Sequence, residues 1–196
     1  MRSDARRNHD HILEAARALF GEAGTKVSVE EIARAAGVGV GTVHRHFPTK
    51  DDLVGAVLVW SCEPVLDALE DALKGDDPLA GLESFLLQIV EFQQANRALA
   101  EEFRDEGHGE IPELVAIKAE MTERLAELVH RVQEAGQIRG DVGPGDLRLL
   151  LIALGRESAP GSPAVTYDDK IRFLRIVLDG LRTSAPTPLP AAPPEL

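Results

Sequence analysis

"SVEEIARAAGVGVGTVHRHFPTK", residues 28–50, decides the fold. Ser28 and Glu31 stand in capping-box spacing, Ile32 and Ala36 share a helical face, and Gly37 supplies the stop. "VGTVHRHF", residues 40–47, can make two further turns with Val43 and Phe47 on one side. Pro48 and Thr49 then end that helix and cap a fourth. The glycines at 37, 39 and 41 alternate, yet each has its own task. Gly37 allows the positive φ of the turn, Gly39 is a permissive N-cap, and Gly41 lets a helix backbone come close to a groove wall. Phosphate-binding loops need G-x-G-x-x-G or G-x-x-x-x-G-K-[ST] after a strand, and neither spacing is present. His44 and His46 are two apart, about 200° around a helix, and cannot share an ion, so no metal is expected.

What remains is a helix pair joined by a tight turn. Small Ala33 sits where the helices cross, while Ile32, Ala36, Val38 and Val43 face the core, as in a helix-turn-helix. With Val43 as the buried direction, Gly41 and Arg45 point outward at 100° per residue, and Thr42 and His44 flank them. Upstream, Ile12, Leu13, Ala16, Leu19 and Phe20 mark an amphipathic helix ending at Gly21 to Gly24.

These stretches, "ILEAARALFGEAG", "SVEEIARAAGV" and "GTVHRHFPTKDDL", resemble the DNA-binding domain of the TetR family of bacterial transcriptional regulators over about residues 9–55. The resemblance implies an all-α fold of about nine helices: a three-helix DNA-binding domain, then a variable helical domain that binds small ligands and dimerises through its last two helices. It implies DNA contacts at Ser28, Val40, Gly41, Thr42, His44, Arg45, His46 and Lys50. Where the family usually has an aromatic residue, commonly tyrosine, this chain has His44, which can donate to the same phosphate oxygen. Repression is the commoner mode in that family, and no cofactor is implied.

Charge agrees with such a division. Residues 1–50 hold 8 Lys and Arg against 6 Asp and Glu, a balance of +2, while the remainder holds 13 against 27, a balance of −14. One end suits a polyanion and the other does something else. The excess of carboxylates tilts the expected effector toward neutral or cationic compounds.

Beyond residue 50 the helical period continues. Pro64 is expected to kink or break the fourth helix. Gly75-Asp76-Asp77-Pro78 is a linker, and helices are expected at "LAGLESFLLQIVEFQQA" and "RALAEEFRDE". The stripe Leu114, Ile117, Met121, Leu125, Leu128, Val132 makes the surest helix. Residues 146–157 and 167–182 are too apolar to face water on every side and are expected to form a homodimer interface. Trp60, Phe85, Phe92, Phe103 and Met121 can line an effector cavity or fill a core. The expected domains are 1–50 for DNA, 51–183 for ligand and dimer, and a disordered proline-rich tail at 184–196.

Other classes find little support. The longest apolar runs fall far short of the roughly 20 residues of a membrane-spanning helix, and the N-terminus has no apolar signal segment. One cysteine, Cys62, fits a reducing compartment, and the cytoplasm is expected. In a helix it reads as a small hydrophobe rather than a nucleophile. An enzyme on a helical bundle would need paired carboxylates or His and Glu ligands facing inward, whereas His130 lies off the Met121 stripe. The sequence predicts a regulator without enzymatic activity. The rival is a helix-turn-helix protein controlled by a protein partner.

Overall fold

The computed structural model describes residues 2–96, 111–156, 164–182 and 187–194. The described residues form eight helices and no strand: α1 Arg2–Ala23, α2 Val29–Ala35, α3 Val40–His46, α4 Lys50–Lys74, α5 Pro78–Ala95, α6 Pro112–Glu134, α7 Pro144–Gly155 and α8 Tyr167–Leu181. This is the all-α architecture expected. The helix read at "RALAEEFRDE", and Phe103 within it, lie outside the described residues.

Helix starts follow local chemistry. Ser28, Thr49 and Thr166 each receive the backbone N–H three residues on, at 3.3, 3.1 and 3.2 Å. Glu31, Asp52 and Asp169 accept in return from the cap residue's backbone N–H, each at 2.9 Å. Two orphan N–H groups are thereby satisfied per helix. The cap hydroxyl also donates to each carboxylate, and these hydrogen bonds are the main reason all three carboxyls titrate below their ordinary range. The folded value lies below the unfolded one, so the stabilisation is complete above about pH 4 and disappears as pH falls through the folded value. Thr49→Ala is therefore expected to cost about 1 kcal/mol at neutral pH. The difference in melting temperature from the parent should narrow on acidification below pH ~4; a constant difference from pH 7 to 3 would exclude the Asp52 carboxylate from the cap.

The chain divides into two compact units. The first joins Met1–Glu63 with Ala95–Ile117. Its core gathers Ile12, Ala16 and Phe20 of α1, Ile32 and Ala33 of α2, Val43 of α3 and Leu53, Val57 and Leu58 of α4, all buried. Gly37 has φ +68°, the left-handed turn expected between α2 and α3. On α4, a Cβ at Gly55 would stand 2.5 Å from Ile111 Cδ1. The glycine thus lets the segment entering α6 lie against α4.

The second unit joins Pro64–Gln94 with Lys118–Leu196. Leu69 of α4, Leu82, Phe85 and Leu86 of α5, Leu128 and Val132 of α6, Leu147 of α7 and Leu174 of α8 build one apolar cluster. The last carbonyls of α4 lack intrahelical donors, and Arg131 of α6 donates to Leu73 O and to Gly75 O just past the helix end. Earlier in α4, Arg124 donates to Leu66 O at 3.4 Å.

Pro64 does not divide α4, which runs unbroken from Lys50 to Lys74. Proline removes only the N–H that would meet the Trp60 carbonyl, and Pro64 is exposed. A buried stripe beginning beside it, Ser61, Cys62, Val65, Ala68 and Leu69, carries the helix through. Cys62 is a small buried group as expected, its Sγ donating to Leu58 O at 3.1 Å.

Candidate nucleic-acid interface

The turn at Gly37 sets α3 across α2, and Val43 anchors it at 1% exposure. With that anchor fixed, the outward positions follow from the helical repeat. Gly41, His44 and Arg45 are exposed, and Val40, Thr42 and His46 half-buried. Lys50 opens α4 just beyond and is also half-buried. Ser28, half-buried at the start of α2, is occupied by its capping box with Glu31. The stripe read from the sequence is thus a physical surface, while Ser28 has a structural task as well.

Arg45 lies along its own helix. Its Nε donates to Gly41 O and its Nη2 to Thr42 Oγ1, both at 3.1 Å and both exposed to solvent. These bonds exchange with water at little cost, so the guanidinium is held ready without being buried. Gly41 is notable for what surrounds it. A Cβ there would find nothing within 4 Å, and its φ is not positive. Neither packing nor backbone conformation within the chain requires glycine at this place, although glycine in a helix costs about 0.5–1 kcal/mol relative to alanine.

His46 belongs to a cluster that sequence reasoning missed. Its ring lies 5.7 Å from that of His9 on α1 in a T-shaped arrangement, and His9 also lies 5.2 Å from Phe47. Alternation between residues 9 and 46 leaves no local signal; only packing of α1 against the end of α3 reveals it. Trp60, a candidate effector contact, carries the Arg17 guanidinium 5.0 Å above its ring, a cation–π contact within the first unit.

The other candidate effector contacts lie in the second unit. Phe85 is buried in the apolar cluster, and Met121 packs half-buried against it. Phe92, on α5, is half-buried. Gln93 Oε1, beside it, is buried and has no hydrogen-bond partner among the described residues. Glu127 and His130 are three apart on α6, but both are exposed, and His130 faces Glu134 at 3.3 Å. Among the described residues, no group of three or more His, Cys, Asp or Glu could hold a metal ion, and no helix is long and apolar enough to cross a membrane.

Comparison with known proteins gives the arrangement its family. Residues 12–57 match the model of the bacterial regulatory proteins of the tetR family. Residues 77–183 match that of the transcriptional regulator SbtR-like C-terminal domain. The chain is 25% identical over 159 residues to the HTH-type transcriptional regulator UidR of Escherichia coli K12, covering 79% of this chain and 81% of that protein. Among solved structures, a TetR transcription regulatory protein from Mycobacterium vanbaalenii superposes with a TM-score of 0.68 at 32% identity, over 93% of this chain and 99% of the other. A TetR transcriptional regulator from Streptomyces coelicolor gives 0.68 at 29% identity, over 90% and 99%. A helix-turn-helix head and a helical second unit, each matched to its own model and together to whole relatives, make this chain a member of the TetR family of transcriptional regulators.

Proposed function

We propose that the protein is a dimeric repressor that binds a palindromic operator and is released from it by a small-molecule effector. The observation that carries the DNA contact is the exposed stripe of α3, with an arginine held ready beside a glycine that nothing in the chain requires. In this reading residues 1–50 meet DNA. Arg45 reads a base edge, Thr42 and His44 flank it, and Ser28, Val40, Gly41, His46 and Lys50 complete the contact surface. Gly41→Ala tests the division between fold and function. It is expected to raise the melting temperature by about 2 °C, as a helix position relieved of glycine should, and to weaken DNA binding. Unchanged DNA affinity would remove Gly41 from the interface.

Residues 51–183 carry effector and partner subunit. Support for dimerisation comes from Leu149 on α7 and Phe173 and Ile176 on α8, which are large, apolar and about half exposed. An isologous contact between two copies covers them. For the effector, Phe92 and Met121 offer half-buried apolar contact and Gln93 Oε1 an unused acceptor, with Trp60, Phe85 and Phe103 completing the candidates. Both α4 and α6 begin in the first unit and continue in the second, so either can carry a change in the effector region to the reading head. Coupling of about 1–3 kcal/mol suffices for regulation, and linkage requires operator DNA to weaken effector binding by the same factor. Compounds are screened by thermal shift, and operator affinity is then measured by fluorescence anisotropy with and without each hit. A hit that binds and lowers operator affinity supports the reading; hits that bind tightly and never alter it would move control to a protein partner.

A further inference from the structure

The turn entering α7 holds two glycines that its backbone does not call for. Gly143 has φ −112°, open to any residue, and Gly145, in the first turn of the helix, is not among the glycines with positive φ. What the two share is a neighbour. A Cβ on Gly143 would stand 2.5 Å from Pro193 Cβ, and one on Gly145 would collide with the carbonyl oxygen of Pro194. Both glycines are buried, although the prolines present their outer sides to solvent.

The same segment is held further back. Arg139 Nη2 donates to Thr187 O at 2.6 Å, and the causes that hold the Asp141 carboxyl below its ordinary range run from the Arg139 hydrogen bond, the largest, to the backbone N–H of Leu189, the least. Arg139 is itself fixed by a bidentate pair with Asp141, at 2.5 and 2.8 Å, which leaves its side chain 11% exposed. Its backbone N–H donates to Leu181 O, at the end of α8, at 2.9 Å. Thr187, Leu189, Pro193 and Pro194 thus meet one short stretch of chain at four points. A segment rich in proline loses less conformational freedom on being fixed than an ordinary one.

We propose that residues 187–194 form a strap, docked in a glycine-lined cradle at residues 139–145, that ties the end of α8 to the start of α7. The occupant of the cradle is the chain's own proline-rich segment. Glycines 143 and 145 are there to admit it, and Arg139 is the buckle, joined to the end of α8, to Asp141 and to the strap. Because α7 and α8 carry Leu149, Phe173 and Ile176, the strap also fixes the mutual placement of the surface assigned above to the dimer; this consequence rests on that assignment.

The test uses the full-length ¹⁵N-labelled protein. In the parent, the ¹⁵N heteronuclear NOE of Leu189, Ala191 and Ala192 is expected near that of the helices. Gly145→Ala, favourable to a helix by itself, puts a methyl group on the Pro194 carbonyl. It should drop those NOEs to free-chain values and raise the dimer dissociation constant several-fold. Gly140→Ala, where a Cβ meets nothing within 4 Å, should leave both unchanged. Should Gly145→Ala fail to fold, Leu189→Pro, which takes away the Leu189 N–H and exchanges an exposed side chain, should lower the Ala191 and Ala192 values. Free-chain NOEs in the parent, or unaltered NOEs in Gly145→Ala or Leu189→Pro, would overturn the strap. A parent that is monomeric by light scattering would instead overturn the dimer assignment, with the NOEs still deciding the strap.

Discussion

Phe173→Glu combined with Ile176→Glu is expected to turn the proposed dimer into monomers and, with it, to abolish operator binding at nanomolar protein. α8 places Leu174 and Leu178 in the core of its own unit, while Phe173 and Ile176 stand outside at 49% and 57% exposure. A protomer therefore folds without covering them. Burial of each such side chain contributes about 1.5–3 kcal/mol, and a two-fold axis presents every residue twice. Carboxylates at these places lose that gain and bring like charges together in a surface stripped of water. The loss exceeds about 4 kcal/mol, roughly a thousandfold in dissociation constant. Sedimentation velocity reads the outcome, and an unchanged thermal melt shows that the protomer is intact. A variant that remains dimeric would place the interface on another face.

Arg45→Ala has the second largest effect. The guanidinium rests on Gly41 O and Thr42 Oγ1; in the proposed reading it leaves them on DNA to meet two acceptors of a guanine edge. Loss of a bidentate base contact costs about 1–3 kcal/mol of discrimination, so operator affinity should fall far more than affinity for random duplex. Lys50→Ala should instead weaken both alike and lower the slope of log K against log salt by about 1, as one phosphate contact does. Titrations by anisotropy at several salt concentrations separate the two. Equal losses on both duplexes for Arg45→Ala would assign that residue to phosphate.

Much of this was legible because it is local. The capping box at Ser28, the cap at Thr49, the positive φ of Gly37 and the inward stripe ending at Val132 each depend on residues a few positions apart. So does the outward direction of Gly41 and Arg45, once Val43 is taken as buried. What could not be read depends on contacts distant in sequence. Arg131 reaching the Leu73 and Gly75 carbonyls, Arg17 over Trp60, and His9 beside His46 join positions with no periodic relation. Pro64 shows the limit of a local rule. Its intrinsic cost is real, but the burial of α4 on both sides of it in the chain outweighs one missing hydrogen bond. For the large apolar candidates, residue type does not separate core from cavity. Phe85 is core and Met121 lies at its margin.

Selection of duplexes from a random library by the full-length protein bears most directly on the central claim. Enrichment of a near-palindrome is expected, with half-site centres roughly 34–36 Å apart or a multiple of that distance. The enriched sites should carry a guanine in each half whose contribution vanishes in Arg45→Ala. Recovery of no sequence above the starting library, or of single half-sites without symmetry, would contradict a dimer that reads DNA through α3.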